Sequence, residues 1–275
     1  MDKKDKQFLK TVFLTRLLLA LSVLGLFDFG FFQDFLMQRG DKVRHSFGFG
    51  HPNSLGMYLV VLFIDYFLMI GQKNVSKLTY LVCLGISLLV FAATDSRLGF
   101  LASLLVLLVG AFKERLTKYQ IKGILLWLGI VLLYLLGIFL SYSYKENSDF
   151  YQNLNTLFSN RLLNAYNYIQ AYGFHLWPND YPPLYYGQTM VYNENFYIDT
   201  LLKNGLLLYL LYPILMFMQL KNKVVNLYPA CLMLLCFLFA MVEDYEASVL
   251  MATPLLFNYF AEEKDELHSQ SELEI

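Results

Sequence analysis

The sequence predicts an all-α, polytopic integral membrane protein with about eight transmembrane helices and one large extracytoplasmic loop. Of its 275 residues, 57% are hydrophobic and 16% are charged. The charged residues fall in short clusters between long apolar runs, whereas a soluble domain would spread them along every helix. The formal net charge of -1 shows no basic excess that would favour nucleic acid as a partner.

Eight apolar stretches approach the length of about 20 residues that a helix needs to cross the hydrocarbon core of a bilayer. The fourth and the eighth are short, and seven helices remain an alternative. The stretches are Phe8–Leu26, Ser54–Ile70, Leu78–Ala93, Leu98–Phe112, Ile121–Leu140, Phe196–Leu220, Val225–Met241 and Ala247–Phe260.

The orientation follows from the distribution of lysine and arginine. Lys3, Lys4, Lys6 and Lys10 precede the first apolar stretch, and no small-residue cleavage site follows it, so we interpret this stretch as a retained helix. With the N-terminus in the cytoplasm, thirteen Lys and Arg residues fall in inner segments and six in outer segments. The positive-inside rule favours this orientation.

We expect one membrane domain, residues 1–275, with a large outer loop at 141–193 and an acidic cytoplasmic tail at 261–275. The loop has 53 residues, too many for a mere connection, and it holds ten of the 21 tyrosines. Such rings stack on sugars or anchor at lipid headgroups. Apolar residues from Leu154 to Tyr172 recur at the period of one helix face, and Gly173 is a plausible stop, so we predict a surface helix there.

The cysteines indicate no redox or metal chemistry. Cys83, Cys231 and Cys236 all lie inside apolar runs, where they are typical of small buried hydrophobic residues. We therefore expect neither a zinc site nor a cofactor.

The first outer segment contains RHSFGFGHPN, residues 44–53. Arg44 offers a cation and His51 a titratable ring, and the glycines allow a ligand close to the backbone. On these residues alone, a glycine-rich turn with Pro52 opening a helix and Asn53 near its cap is the better interpretation.

Two further arginines are predicted on the outer side. Arg97 follows Asp95 in a short turn, where it either captures an anion or is neutralised by that aspartate. Arg161 lies in the loop with Asn164 and Tyr168 on the same helix face, and a solvated surface charge is an equally good interpretation.

The end of the loop carries candidate acid and base groups. Glu194 is either a general base or an ordinary loop carboxylate. Asp199 and Lys203 are four residues apart on one helix, and we favour a structural ion pair for them. Three carboxylates, Glu243, Asp244 and Glu246, could hold a divalent cation, but solvated charges are the more usual outcome.

Taken in order, RHSFGFGHPN, TDSRLGFL at 94–101, NRLLNAY at 160–166 and ENFYIDTLLKNG at 194–205 resemble the bacterial O-antigen polymerase and ligase superfamily. The similarity covers most of the chain, from about Arg44 to Phe260. It is strongest toward the repeat-unit polymerases of capsular and exocellular polysaccharides.

The resemblance implies metal-independent, inverting glycosyl transfer at the outer leaflet of the bacterial cytoplasmic membrane. The donor would be an undecaprenyl-pyrophosphate-linked saccharide and the acceptor a second saccharide, with a flippase and a chain-length regulator as possible partners. The positions of Arg97 and Arg161 in these motifs imply that the two arginines hold the pyrophosphate. Related ligases have a histidine before the asparagine where this chain has Glu194 before Asn195, so Glu194 is our candidate base.

The resemblance also implies a set of residues for binding substrate. We expect Arg44 and His51 to orient the donor or the acceptor. The remaining candidates for substrate contacts are Asn53, Asn164, Tyr168 and Asn195.

Three alternatives remain open. A ligase of the same superfamily would use the same donor but a different acceptor. A flippase or permease is disfavoured, because transporters usually place polar or broken-helix features near the midplane of the bilayer. In this sequence the polar groups collect outside the apolar runs. A purely structural membrane subunit is the third alternative.

Overall fold

The computed structural model describes residues 3–39, 41–70, 75–187, 189–241, 243 and 261–263, and these are mostly helical. The helices are α1 (Lys3–Asp28), α2 (Pro52–Ile70), α3 (Lys77–Thr94), α4 (Arg97–Ala111), α5 (Lys113–Leu116), α6 (Gly123–Tyr142), α7 (Asp149–Leu157), α8 (Arg161–Tyr172), α9 (Phe196–Leu220) and α10 (Leu227–Phe239). The strands are β1 (Met37–Arg39), β2 (Lys42–Arg44), β3 (Gln120–Lys122), β4 (Leu184–Tyr186), β5 (Thr189–Val191), β6 (Lys223–Asn226) and β7 (Ala261–Glu263).

Five helices in the described part of the chain are long and apolar enough to cross a membrane: α1 from Gln7, α2, α3, α6 and α9. The exposed surfaces of α1, α3, α6 and α9 are rich in leucine, as expected where side chains face lipid, whereas α2 is largely buried. The helices α4 and α10 match two further predicted spans but are shorter, with 15 and 13 residues. The last predicted span, at 247–260, lies outside the described residues.

The chain forms two compact units. Unit 1 contains the described parts of residues 1–119 and 227–235. Its centre is α2, which packs against α1, α3 and α4. A Cβ atom on Gly99 would lie 2.9 Å from the backbone of Gly56, so only these two small residues allow α2 and α4 to approach so closely. Arg16 of α1 and Asp65 of α2 form an ion pair at 2.6 Å.

One end of unit 1 gathers the β1–β2 hairpin, the start of α2 and the turn between α3 and α4; we call it the hairpin end. The hairpin is antiparallel, with Met37 opposite Arg44. Arg44 donates from Nε to the carbonyl oxygen of Thr94 at 2.8 Å, and this bond fastens the hairpin to the end of α3.

Unit 2 contains the described parts of residues 120–226 and 236–275. In it α6 packs against α9, and α8 lies against both helices. A buried cluster of Ala165, Tyr168, Ile169, Ile198 and Leu202 joins α8 to α9. A three-stranded antiparallel sheet with the order β3-β6-β7 lies where α6 begins and α9 ends.

The predicted surface helix is interrupted in the structure. Ser159 and Asn160 adopt left-handed backbone angles, with φ of 53° and 68°, so α7 ends at Leu157 and α8 begins at Arg161. The side chain of Asn155 stabilises this turn, because it donates to Oδ1 of Asn160 and accepts from the amide of Leu163, both at 3.0 Å. The stop at Gly173 is confirmed, since its amide bonds to the carbonyl of Ile169 at 2.9 Å.

A second interruption lies inside α9. Gly205 has φ 71° and ψ 166°, angles that break the helical hydrogen-bond ladder. The loop fills the gap, since the amides of Leu206 and Leu207 donate to the carbonyls of His175 and Leu176 at 2.8 and 3.2 Å. The part of α9 before Gly205 packs on the loop, and the part after it exposes Leu206, Leu207, Leu208, Leu210 and Leu211.

Candidate functional site

The candidate site in unit 2 is built around Arg161, the first residue of α8. The left-handed turn before α8 directs this side chain inward, and its exposed fraction is only 4%. Its Nη1 donates to the carbonyl oxygen of Phe158 at 3.3 Å. The alternative interpretation of Arg161 as a solvated surface charge is therefore wrong.

Two carboxylates contact the Arg161 guanidinium. Nη2 donates to Oε1 of Glu243 at 2.5 Å. Nε lies 2.9 Å from Oε2 of Glu194 without the alignment of a hydrogen bond, so that contact is chiefly one between charges. One positive and two negative side chains leave this cluster with a net negative charge. It is therefore unfavourable for an added anion in this arrangement.

Glu243 was expected to be solvated, and the structure corrects that expectation. Its side chain is 10% exposed, and its amide donates to the carbonyl of Phe239 at 3.1 Å, just after α10. A carboxylate so far removed from water needs a cationic partner, which Arg161 supplies. The neighbouring acids Asp244 and Glu246 lie outside the described residues.

Glu194 is the more accessible carboxylate of the cluster, with 25% of its side chain exposed. It is placed by the residues that begin α9. Asn195 caps this helix, because its Oδ1 accepts from the amides of Tyr197 and Ile198 at 3.0 and 3.3 Å. The Nδ2 group of Asn195 donates to Oγ of Ser141 at 3.0 Å, which ties the start of α9 to the end of α6.

Three of the predicted substrate-binding side chains in unit 2 make contacts within the protein. Asn195 is 1% exposed and serves the helix cap. Tyr168 is 2% exposed, donates to the carbonyl of Val191 at 2.6 Å and accepts from the amide of Leu184 at 3.1 Å. Asn164 is half-buried, and its Nδ2 lies 3.4 Å from the carbonyl of Tyr192. These three residues hold the loop in place around Glu194.

The predicted ion pair on α9 is confirmed. Lys203 Nζ lies 2.7 Å from Oδ2 of Asp199. The hydroxyl of Tyr181 donates to the other carboxylate oxygen of Asp199. Burial raises the pKa of Tyr181, and its hydrogen bond to Asp199 raises that pKa further, so Tyr181 stays a neutral donor. The pair lies before the break at Gly205 and anchors the loop.

In unit 1, the structure brings Arg44, Asn53 and His51 together at the hairpin end. Arg44 is 3% exposed and donates from Nη2 to Oδ1 of Asn53 at 2.5 Å. The amide of Asn53 donates to Nδ1 of His51 at 3.1 Å, at the first turn of α2. These contacts match the interpretation as a turn and helix start, and only His51 keeps partial exposure.

The turn between α3 and α4 separates Arg97 from its expected partner. Asp95 has φ 46°, and its carboxylate lies 3.5 Å from Arg39 Nη1 and 3.7 Å from Lys42 Nζ. The side chain of Arg97, the first residue of α4, is exposed. The hairpin therefore neutralises Asp95, and Arg97 is left facing solvent at a helix N-terminus, where anions are favoured.

Sequence reasoning missed the contact between Asp34 and His45. Oδ2 of Asp34 lies 2.5 Å from Nδ1 of His45, and their side chains are 20% and 43% exposed. Burial alone would raise the pKa of Asp34, but the hydrogen bonds from His45, Ser46 and Phe47 outweigh it and lower that pKa. The available signal was a histidine beside Arg44 in a glycine-rich segment, with an aspartate eleven residues earlier.

The structure thus joins Arg161 to Glu194 in unit 2, and Arg44 to Asn53 and His51 in unit 1. Within the described residues, no group of three or more His, Cys, Asp or Glu side chains is placed to hold a metal ion. Comparison of the chain with models of protein families, with curated proteins and with solved structures found no match.

Proposed function

We propose that the chain is a metal-independent, inverting glycosyltransferase of the bacterial cytoplasmic membrane. Its substrates would be undecaprenyl-pyrophosphate-linked saccharides, which it joins into capsular or exocellular polysaccharide at the outer leaflet. The observation that carries this proposal is the contact of Glu194, a partly exposed carboxylate, with the buried guanidinium of Arg161. Five helices able to cross a membrane support access to a lipid-linked donor.

In this proposal Glu194 is the general base. Oε2 lies 2.9 Å from Nε of Arg161 and 25% of the Glu194 side chain is exposed, so we assign Oε1 to the acceptor. The acceptor hydroxyl would approach Oε1 and give up its proton as its oxygen attacks the anomeric carbon. The bond from that carbon to the pyrophosphate breaks on the opposite face, which inverts the configuration.

The surroundings of Arg161 favour a positioning role over direct contact with phosphate. Its guanidinium is 4% exposed and already faces Glu194, Glu243 and a backbone carbonyl. A pyrophosphate would have to displace a carboxylate and would meet the remaining negative charge. Arg161 thus orients Glu194 toward the acceptor, and Glu243 holds Arg161 in place.

Binding of the pyrophosphate falls to Arg97. Its exposed guanidinium can make two parallel hydrogen bonds to phosphate oxygens. The positive end of the α4 helix dipole adds favourable partial charge at the same point. Asp95 does not oppose this role, because Arg39 and Lys42 already contact its carboxylate.

The test compares polysaccharide in cells that lack the protein and in the same cells carrying the wild-type chain, Glu194→Gln or Arg161→Lys. We expect wild type to restore long polymer, and Glu194→Gln to reduce the rate of elongation by about 100-fold or more, the usual effect of losing a general base. Arg161→Lys should be intermediate, because lysine keeps the charge but loses the planar fork. Glu146→Gln, a change at an exposed loop carboxylate, is the matched control.

Analysis of the lipid-linked intermediates separates the alternatives. Single repeats that accumulate on the outer leaflet in the absence of the protein indicate a polymerase. Full-length polymer left on the carrier indicates a ligase, and repeats that stay on the cytoplasmic side indicate a flippase. Normal polymer in the Glu194→Gln cells at equal protein level would remove the proposed base.

A further inference from the structure

Asp34 and His45 form a histidine–carboxylate pair at the hairpin end of unit 1, and the proposed function does not use it. Nδ1 of His45 lies 2.5 Å from Oδ2 of Asp34. In catalytic triads, a carboxylate on one ring nitrogen fixes the tautomer and the orientation of the imidazole, so that the other nitrogen can transfer protons. With 43% of the side chain exposed, His45 keeps its ring accessible to solvent.

Asp34 is itself held rigidly. Its Oδ1 accepts from the amides of Ser46 and Phe47 at 2.8 and 3.1 Å, and from Oγ of Ser46 at 3.2 Å. These three bonds already connect the segment before β1 to the segment after β2. The imidazole is not needed for that connection, which argues against a purely structural purpose for the fourth contact. The ring of Phe47, with its centroid 5.5 Å from that of His45, flanks the imidazole.

Cations surround the turn beside His45. The amide of His45 donates to the carbonyl of Ala93 at 3.4 Å, so the pair lies next to the turn that leads into α4. Arg97 begins α4, and Arg39 and Lys42 reach Asp95 on the same turn. The charged groups on the elements around His45 are Asp28 at the end of α1, Asp34 before β1, Arg39 on β1, Asp41 in the hairpin turn, Lys42 and Arg44 on β2, and Asp95 and Arg97 at the turn before α4.

We infer that His45, oriented by Asp34, is an acid residue that delivers a proton to a phosphate oxygen of a ligand bound at the hairpin end of unit 1. The cations on the β1–β2 hairpin and Arg97 would attract the phosphate, and the imidazolium would neutralise the charge that develops when it leaves. Asp34 is a positioning residue. The inference rests on the proposed function for the identity of the ligand, a pyrophosphate-linked saccharide.

The proposed step is balanced in atoms and charge. The bond between the anomeric carbon and the pyrophosphate oxygen breaks, and the electron pair stays on that oxygen. His45 gives the proton on Nε2 to a phosphate oxygen and becomes neutral, while its Nδ1 proton remains on the bond to Asp34. A new bond forms between the anomeric carbon and the acceptor oxygen. Solvent at the exposed edge of the ring then returns a proton to His45.

The test measures kcat against pH for the full chain in lipid nanodiscs, with undecaprenyl-pyrophosphate-linked saccharide as donor. We expect His45→Gln to lower kcat by about 100-fold, in the usual range for general acid catalysis, and to remove the loss of rate at alkaline pH. Asp34→Asn should move the pH at which the rate declines, since it leaves the imidazole but removes its charged partner. His175→Gln is the matched control, because the ring of His175 contacts a backbone carbonyl at 2.7 Å. A wild-type kcat and pH profile in His45→Gln would overturn the inference.

A second measurement separates failure of this inference from failure of the proposed function. The imidazole resonances of His45 are followed by NMR at constant pH as inorganic pyrophosphate is added. We expect pyrophosphate to change the chemical shifts of the His45 ring and to leave those of His175 unchanged. This result would support phosphate handling at His45 even if no glycosyl transfer is found. A His45 ring that does not respond to pyrophosphate would overturn the inference, even if Glu194→Gln abolishes transfer.

Discussion

At the scale of single residues, Arg161 shows how a buried charge is held by partners distant in sequence. Glu243 is 82 residues away in the chain, yet it makes the shortest contact to the guanidinium. Removing one partner from a buried ion pair usually costs about 3–5 kcal/mol, because the other charge stays out of water without compensation. Arg161 would retain Glu194, so the loss here is smaller.

We therefore expect Glu243→Gln to lower the free energy of unfolding by about 1–3 kcal/mol, the cost of leaving a buried polar group poorly satisfied. The double variant Arg161→Met with Glu243→Leu should lose less free energy of unfolding than the single variants Arg161→Met and Glu243→Leu lose in sum, because it removes both charges together. Thermal unfolding in detergent measures the stability of each variant. Glu146→Gln, at an exposed position, should lie within about 0.5 kcal/mol of wild type. If the loss of stability in the double variant equals the sum of the losses in the two single variants, Arg161 and Glu243 are not coupled.

At the scale of elements, the break in α9 determines where the loop lies. A Cβ on Gly205 would lie 2.5 Å from the carbonyl carbon and oxygen of Trp177, and φ is 71°. The first part of α9 therefore carries Asp199 and Lys203 against the loop, and the exposed leucines of this helix follow only after the break.

Gly205→Ala should be strongly destabilising. A left-handed backbone angle costs a non-glycine residue about 1–2 kcal/mol. The contact with Trp177 adds strain of about 1–3 kcal/mol, the usual cost of overpacking. We expect a lower unfolding temperature and faster proteolysis within 174–180, because the loop loses its bonds to Leu206 and Leu207. Gly85→Ala is the control, since no atom lies within 4 Å of its added Cβ. Equal unfolding temperatures and proteolysis rates in the two variants would show that the break in α9 does not hold the loop in place.

The contacts that the sequence predicts are those set by local geometry. Asp199 and Lys203 are four residues apart on one helix, so their pairing follows from helical periodicity. The pairs of Arg161 with Glu243 and of Asp34 with His45 depend on how separate segments pack, which periodicity does not encode. The break at Ser159–Asn160 was missed because the apolar residues on both sides keep a helical spacing. The break at Gly205 was missed as well, because a single glycine inside an apolar run does not by itself indicate a break in the helix.

At the scale of the whole molecule, the sidedness of the chain depends on whether α4 crosses the membrane. Its 15 residues rise about 1.5 Å each and so span about 22 Å, against a hydrocarbon core of about 30 Å. Charged groups lie at both ends, with Asp95 before it, Arg97 as its first residue, and Lys113 and Arg115 after it. Such flanking charges let a short helix span by thinning the bilayer locally and extending their side chains to the interface.

We expect α4 to cross, with the N-terminus inside as the positive-inside rule predicts. In a background without Cys83, Cys231 and Cys236, single cysteines replace the exposed Lys42, Lys118 and Glu146. An impermeant maleimide should label Lys42→Cys and Glu146→Cys in intact cells, and Lys118→Cys only after permeabilisation. Three crossings separate positions 42 and 118 if α4 spans, but only two if it does not, so labelling of both from the same side would show that α4 stays in one leaflet. In that case positions 42 and 146 would lie on opposite sides, and Arg97 and Glu194 could not act at the same leaflet.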